Sequence, residues 1–119
     1  MRPLYLPLCT ALCVWFAVSN PVIASPLADL GRERAVESCS ACHQVTADQK
    51  LPAPVPNPDQ LEMVVAPSFA SIAVAYKGKD RELRAFIRTP QHPMKEQQFL
   101  DSDLDAIVAY IHSVDNQRW

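Results

Sequence analysis

Two cysteines and a histidine stand close together in the segment Cys39-Ser40-Ala41-Cys42-His43. This C-x-x-C-H spacing is typical of the covalent attachment of a c-type haem. Two thiols on one turn of helix can each add to a vinyl group of the porphyrin, and the histidine that follows then lies beneath the iron. The sequence therefore predicts that Cys39 and Cys42 attach a haem and that an imidazole nitrogen of His43 binds its iron.

Three other chemistries use closely spaced cysteines, and the sequence argues against each of them. A thioredoxin-like dithiol needs a βαβ setting, which the helical pattern of this chain does not provide. A zinc site needs four ligands, and no cysteine follows Cys42. A disulfide between Cys39 and Cys42 would leave His43 without a role.

A haem bound by His43 on one side has an open axial position on the other. The candidates for this position are Met63, His92, Met94 and His112, with Lys95 as a minor option. His112 falls within a predicted helix, where we expect a partly exposed side chain. For Met63 packing is the simpler role, because methionine adapts to gaps among apolar neighbours. Met94 ends a non-helical stretch between two amphipathic helices, where a thioether can lie over a haem face, and is therefore favoured.

The elements that must position these residues are helical. Apolar side chains recur at helical spacing in the later segments, and no run shows the sustained alternation of a β-strand. The predicted helices cover residues 27–38, 68–76, 80–89 and 102–114. The sequence therefore predicts a small all-α protein of about four helices around one haem.

The ends and faces of the last two helices can be predicted in more detail. Asp80 is the expected N-cap of the third helix, and Ser102 with Asp105 resembles a capping box at the fourth. The expected buried face of the third helix consists of Leu83, Phe86 and Ile87, and that of the fourth consists of Leu104, Ile107, Val108 and Ile111.

A proline-rich stretch separates the first two predicted helices. Prolines alternate with other residues over positions 52–58. Proline has no amide donor and disfavours helix at the residue before it. Residues 44–66 are therefore predicted to form an extended surface loop, and a stiff spacer is a simpler interpretation than a proline-rich ligand.

The first 24 residues have the pattern of a secretory signal peptide. Arg2 gives a positive start, residues 4–18 form an apolar run, and Val22 and Ala24 occupy the small-residue positions before a cleavage site. The apolar run is shorter than the ~20 residues that span a bilayer. We therefore expect cleavage after Ala24, a periplasmic domain of residues 25–119, and no membrane span after cleavage.

Composition excludes several classes of function. The chain has 119 residues, of which 49% are hydrophobic and 20% charged, as in a single globular domain. Its formal net charge is -2, so nucleic-acid binding through bulk electrostatics is disfavoured. The two glycines, Gly31 and Gly78, stand far apart, which excludes a glycine-rich phosphate loop.

The chain resembles the class I cytochrome c family over nearly all of residues 25–119. The haem motif is the most specific match. Gly31 matches the small residue where the family's first and last helices cross, and Ala109-Tyr110-Ile111 resembles the aromatic position of the last helix. The family often has an aromatic residue at the position of Ala35, and we expect Val36 to fill that contact instead.

The resemblance also implies roles for two residues outside the motif. Ala66-Pro67-Ser68-Phe69 resembles the family segment whose proline carbonyl accepts a hydrogen bond from the ligating histidine, so that role falls to Pro67. The segment from Phe86 to Met94 resembles the one that carries the distal methionine. The resemblance therefore implies axial ligation by His43 and Met94.

The function that the resemblance implies is electron transfer rather than catalysis. Two filled axial positions keep substrates off the iron, and methionine–histidine ligation raises the reduction potential. We expect the protein to accept electrons from a dehydrogenase or reductase and to pass them to an oxidase or similar acceptor. The alternatives are a dedicated haem subunit of a periplasmic dehydrogenase and a gas-binding or sensor protein with an open distal site.

Basic side chains cluster in the second half of the chain. They are Lys77, Lys79, Arg81, Arg84, Arg88 and Lys95. Solvated helix faces explain them adequately, and the alternative is a docking patch for a redox partner near the haem edge.

Overall fold

Four helices and one short hairpin make up the part of the chain that the computed structural model describes, residues 25–114 and 119. The signal peptide predicted for residues 1–24 lies outside these residues. The elements are α1 (Pro26–Ser38), β1 (Val55–Asn57), β2 (Glu62–Val64), α2 (Phe69–Ala75), α3 (Asp80–Arg88) and α4 (Asp101–Val114). The prediction of a small all-α protein of about four helices is confirmed.

The crossing of α1 and α4 depends on a glycine. Gly31 is buried, and a Cβ atom at this position would lie 1.9 Å from the Ala106 carbonyl oxygen and 2.8 Å from the Tyr110 Cβ. The two helix backbones are therefore closer than any side chain at position 31 allows. Tyr110 is 4% exposed at this crossing, in the packing position expected for the aromatic residue of the last helix.

The expectation that Val36 replaces a missing aromatic residue is wrong. Val36 is 41% exposed, whereas Ala35 is fully buried. The buried residues of α1 are Ala28, Gly31 and Ala35, which follow one another along a single stripe of the helix. Val36 lies outside this stripe, and the small side chains within it let α4 approach without an aromatic filler.

The core forms where α2 and α3 pack against α4. The predicted buried face of α4 is confirmed, since Leu104, Ile107, Val108 and Ile111 are all buried. Leu83 and Ile87 of α3 are also buried, but Phe86 is 39% exposed, so that part of the prediction is wrong. Phe86 instead lies beside Tyr76 of the preceding segment, with the centroids of the two rings 6.5 Å apart.

Helix α2 begins with a capped turn, whereas α3 does not. The Ser68 hydroxyl accepts a hydrogen bond from the Ser71 amide at 3.2 Å. Asp80 is the first residue of α3 rather than its N-cap, which is Lys79 without a side-chain capping bond. The Asp80 carboxylate instead lies 2.8 Å from the Nε2 atom of His112 on α4.

The predicted capping box at α4 is also wrong. The helix begins at Asp101, so Ser102 and Asp105 both lie within it. Asp105 forms an ion pair with Arg84 of α3, and Asp101 pairs with Arg84 and Arg88. Asp101 and Asp105 therefore bind α3, whereas Asp103 forms an ion pair with Arg34 of α1.

The proline-rich stretch contains a short antiparallel hairpin rather than an entirely extended loop. Val55 pairs with Val64 and Asn57 with Glu62. Buried Asn57 organises the turn, because its Oδ1 atom accepts a hydrogen bond from the Asp59 amide at 3.0 Å. Both strands are edge strands, where proline is tolerated.

No helix within residues 25–114 has the length and apolar character of a membrane span.

We predict that Gly31→Ala lowers the free energy of unfolding by about 1–3 kcal/mol, because the added methyl group meets the α4 backbone. Helix propensity alone predicts the opposite sign, a gain of about 1 kcal/mol for alanine over glycine. Denaturant unfolding of the haem-loaded protein measures the change. Glu33→Ala, on the exposed face of α1, is the control and should change stability little; a stabilised Gly31→Ala variant would show that the helices are not in close contact.

Candidate haem-binding site

The segment Cys39–His43 continues from the end of α1 as a helical turn. The Cys39 amide donates to the Ala35 carbonyl at 2.8 Å, and the His43 amide donates to the Cys39 carbonyl at 2.9 Å. Cys39 is half-buried, Cys42 is exposed, and both are free thiols. The two predicted attachment residues therefore lie on one turn and are not linked by a disulfide.

The electrostatic setting of Cys39 does not favour redox chemistry of the thiols themselves. Burial, together with the neighbouring Cys42, raises the pKa of Cys39 to about 11. The reactive form of a cysteine is the thiolate, and redox-active dithiols have lowered pKa values. A thioredoxin-like role therefore has no electrostatic support at this site.

The imidazole of His43 is oriented by a backbone carbonyl. Its Nδ1 atom lies 2.7 Å from the carbonyl oxygen of Pro67. Because a carbonyl oxygen can only accept, Nδ1 carries the proton, and in the neutral imidazole Nε2 then presents its lone pair. The structure thus brings together the two residues that the resemblance relates to each other.

The start of α2 is held against the same turn by two further contacts. The Phe69 amide donates to the Gln44 carbonyl at 2.9 Å. The rings of Phe69 and His43 lie 6.0 Å apart with their planes at 60°, an edge-on arrangement of rings. Phe69 is 3% exposed, so one edge of the His43 ring faces the apolar core.

Met94 lies in the connection between α3 and α4 and is half-buried. Its amide donates to the Gln91 carbonyl at 3.1 Å, which closes a turn. Three residues further on, the Gln97 side-chain amide donates to the Ser38 carbonyl at 2.9 Å. The segment that carries Met94 is therefore anchored to the residue that precedes Cys39.

The other candidate ligands have different surroundings. Met63 lies on β2 and is 62% exposed. His92 is exposed, and its Nδ1 atom lies 3.2 Å from the Asp59 carboxylate. His112 is half-buried on α4, as expected, and faces Asp80. Lys95 is exposed.

This set of donors fits a c-type haem. Two free thiols lie on one turn, and the imidazole beside them has its Nε2 atom available for iron. A thioether is carried by a loop that is anchored to the start of the same turn. Among residues 25–114 and 119, no group of three or more His, Cys, Asp and Glu side chains is placed to hold a metal ion.

A family model for cytochrome c matches residues 28–115, a range that includes α1 from its third residue onward, the other three helices and the C-x-x-C-H motif. The chain belongs to the cytochrome c family. Its cofactor is accordingly a covalently bound c-type haem, for which Cys39 and Cys42 have the required spacing, and this cytochrome c is a haem-based electron carrier. A search of curated proteins and a search of solved structures each gave no match.

Two glutamines contribute to this site of the cytochrome, and no sequence motif predicts the role of either one. Gln97 anchors the loop of Met94, and Gln49 bonds to the backbone on both sides of His43. Neither residue is part of a recognisable motif. Their roles depend on contacts between segments that only the folded chain brings together.

We predict that replacing both Cys39 and Cys42 with alanine removes covalent haem and leaves the chain largely unfolded, because a core this small depends on its cofactor. Haem staining on a denaturing gel, with circular dichroism, measures both effects. Ser40→Ala alters the same turn without removing a thiol, and it should retain haem. A stable, haem-free fold of the double variant would contradict the prediction.

Proposed function

We propose that this cytochrome is a periplasmic one-electron carrier with His43 and Met94 as the axial ligands of its haem. It would take electrons from a dehydrogenase or reductase and pass them to an oxidase or similar acceptor. When bound, the haem supplies an iron atom that exchanges one electron between its ferric and ferrous states. The observation that carries the proposal is the hydrogen bond from His43 to Pro67, which leaves Nε2 as the ligating nitrogen.

The surroundings of His43 suit a ligand that must keep its position in both oxidation states. The Pro67 carbonyl fixes the rotation of the ring and increases the basicity of the imidazole. Phe69 limits movement of the ring on the core side. A ligand held in this way needs little reorganisation when the charge of the site changes, which favours fast electron transfer.

Met94 is supported as the second ligand by the way its loop is anchored. Gln97 connects the loop to Ser38, beside the attachment turn. Met63 is the competing thioether, but β2 ends at Val64, three residues before Pro67, which binds His43. The chain around Met63 is thereby tied to the segment that binds His43, whereas the loop of Met94 follows the C-terminal end of α3 and is anchored separately through Gln97.

A second protein ligand would make the protein a carrier rather than an enzyme or a sensor. With Met94 as the second ligand, oxygen and small substrates would find no open position on the iron. Methionine opposite histidine also raises the reduction potential, which suits a carrier that feeds an oxidase. A gas sensor would instead need a distal position without a protein ligand.

Some of the positive charges in the basic cluster are paired with acidic side chains in the structure. Arg84 and Arg88 form ion pairs with acidic residues of α4, so their charges are partly neutralised. Lys79 and Lys95 are exposed and form no ion pair within the described residues. Lys95 directly follows Met94, and we propose that it contributes to docking of an acidic redox partner.

We predict that Met94→Ala removes the weak red absorption band of sulfur–ferric iron ligation, lowers the reduction potential and admits carbon monoxide to the ferrous protein. Met63→Ala is the matched control and should change none of the three, because its side chain is already exposed. Absorption spectroscopy and redox titration measure the outcome. The reverse pattern would transfer the ligand role to Met63, and a bis-histidine spectrum of the wild type would exclude both methionines.

We predict that the rate of electron transfer to an acidic partner falls as ionic strength rises from about 0.01 to 0.1 M, where the Debye length shrinks from ~30 to ~10 Å. Lys95→Glu should weaken this salt dependence, since it reverses a charge beside Met94. Lys50→Glu, in the loop that precedes the hairpin, is the charge-matched control. Stopped-flow kinetics would contradict the docking role if both variants behaved alike.

A further inference from the structure

The side-chain amide of Gln49 bonds to three backbone groups of the turn that carries His43. Its Nε2 atom donates to the Ser40 carbonyl at 2.9 Å and to the His43 carbonyl at 3.0 Å. Its Oε1 atom accepts a hydrogen bond from the Val45 amide at 2.9 Å. One half-buried side chain therefore joins the backbone before, at and after the proposed ligand.

The same hydrogen bonds continue from Gln49 to α4. Val45 is fully buried, and its carbonyl accepts a hydrogen bond from the Tyr110 hydroxyl at 2.6 Å. Burial raises the pKa of Tyr110, so the hydroxyl keeps its proton and remains a donor. The backbone around His43 is thus connected through Val45 to α4, which contributes half of the buried apolar residues within the described part of the chain.

We propose that Gln49 is a positioning residue for the haem ligand: it holds the main chain at His43 so that the imidazole meets the Pro67 carbonyl on one side and the iron on the other. The proposal deepens the proposed function and rests on ligation by His43. The ring of His43 is anchored at Nδ1 and its amide at the Cys39 carbonyl. Gln49 supplies the remaining anchor, at the carbonyl.

The chemistry of the position requires a carboxamide. The turn presents two carbonyl oxygens, which need a donor, and one amide, which needs an acceptor. A glutamate carboxylate keeps the acceptor but directs an acceptor-only oxygen at the Ser40 and His43 carbonyls. A leucine of similar size supplies neither, and it leaves the amide of fully buried Val45 without its partner.

Three variants of the haem-loaded protein separate these contributions: Gln49→Leu, Gln49→Glu and the exposed control Gln98→Leu. Two readouts are used, amide hydrogen exchange at Val45 and the electron paramagnetic resonance signature of the ferric haem, which reports the orientation of the axial imidazole. In Gln49→Leu we expect Val45 exchange to rise by about tenfold, as the loss of one hydrogen bond implies, and the resonance signature to shift. In Gln49→Glu we expect Val45 to stay protected while the signature shifts.

A merely structural role would give a different result. Both Gln49 variants would then be less stable than Gln98→Leu but would keep the wild-type resonance signature, and the proposal would be overturned. If neither Gln49 variant binds haem, the wild type decides: an unprotected Val45 amide would overturn the proposal, because the contact with Gln49 would then be absent. A wild-type spectrum without histidine–methionine ligation would overturn the proposed function, whereas the exchange of Val45 would still report on the contact with Gln49.

Discussion

The hydrogen bond between His43 and the Pro67 carbonyl is the contact on which the rest of the site depends. It joins two segments that are 24 residues apart, and in the proposed ligation by His43 it leaves Nε2 to bind the iron. Pro67 lies two residues before the start of α2, and the amide of Phe69 adds a hydrogen bond to the Gln44 carbonyl beside this contact.

The crossing of α1 and α4 gives this contact a rigid base. Gly31 lets the two helices approach, so the end of α1 and the turn that follows it have a defined position relative to the core. Two side chains then relate the rest of the site to this base. Gln97 connects the loop of Met94 to the end of α1, and Tyr110 connects α4 to Val45. Together these contacts hold the proposed ligands on segments fixed to the same pair of helices.

Much of this arrangement could be predicted from the sequence, because its signals are local. The C-x-x-C-H spacing and the stripe of α4 each depend on neighbouring residues, whereas the role of Gly31 at the helix crossing is implied by the family resemblance. The errors arose where distant segments compete for a side chain. Asp80 and Asp105 look like capping residues, but they form ion pairs with other helices. The contacts of Gln49 likewise depend on a turn that only the folded chain presents.

The most direct test of the account is X-ray absorption spectroscopy at the iron edge of the haem-loaded wild-type protein in both oxidation states. If His43 and Met94 are the axial ligands, the iron has one sulfur neighbour and otherwise nitrogen neighbours in the ferric and in the ferrous state, with small changes in bond length between them. An iron with nitrogen neighbours only, or with an open position after reduction, would contradict the assignment of Met94 and with it the proposal that this cytochrome is a carrier closed to external ligands.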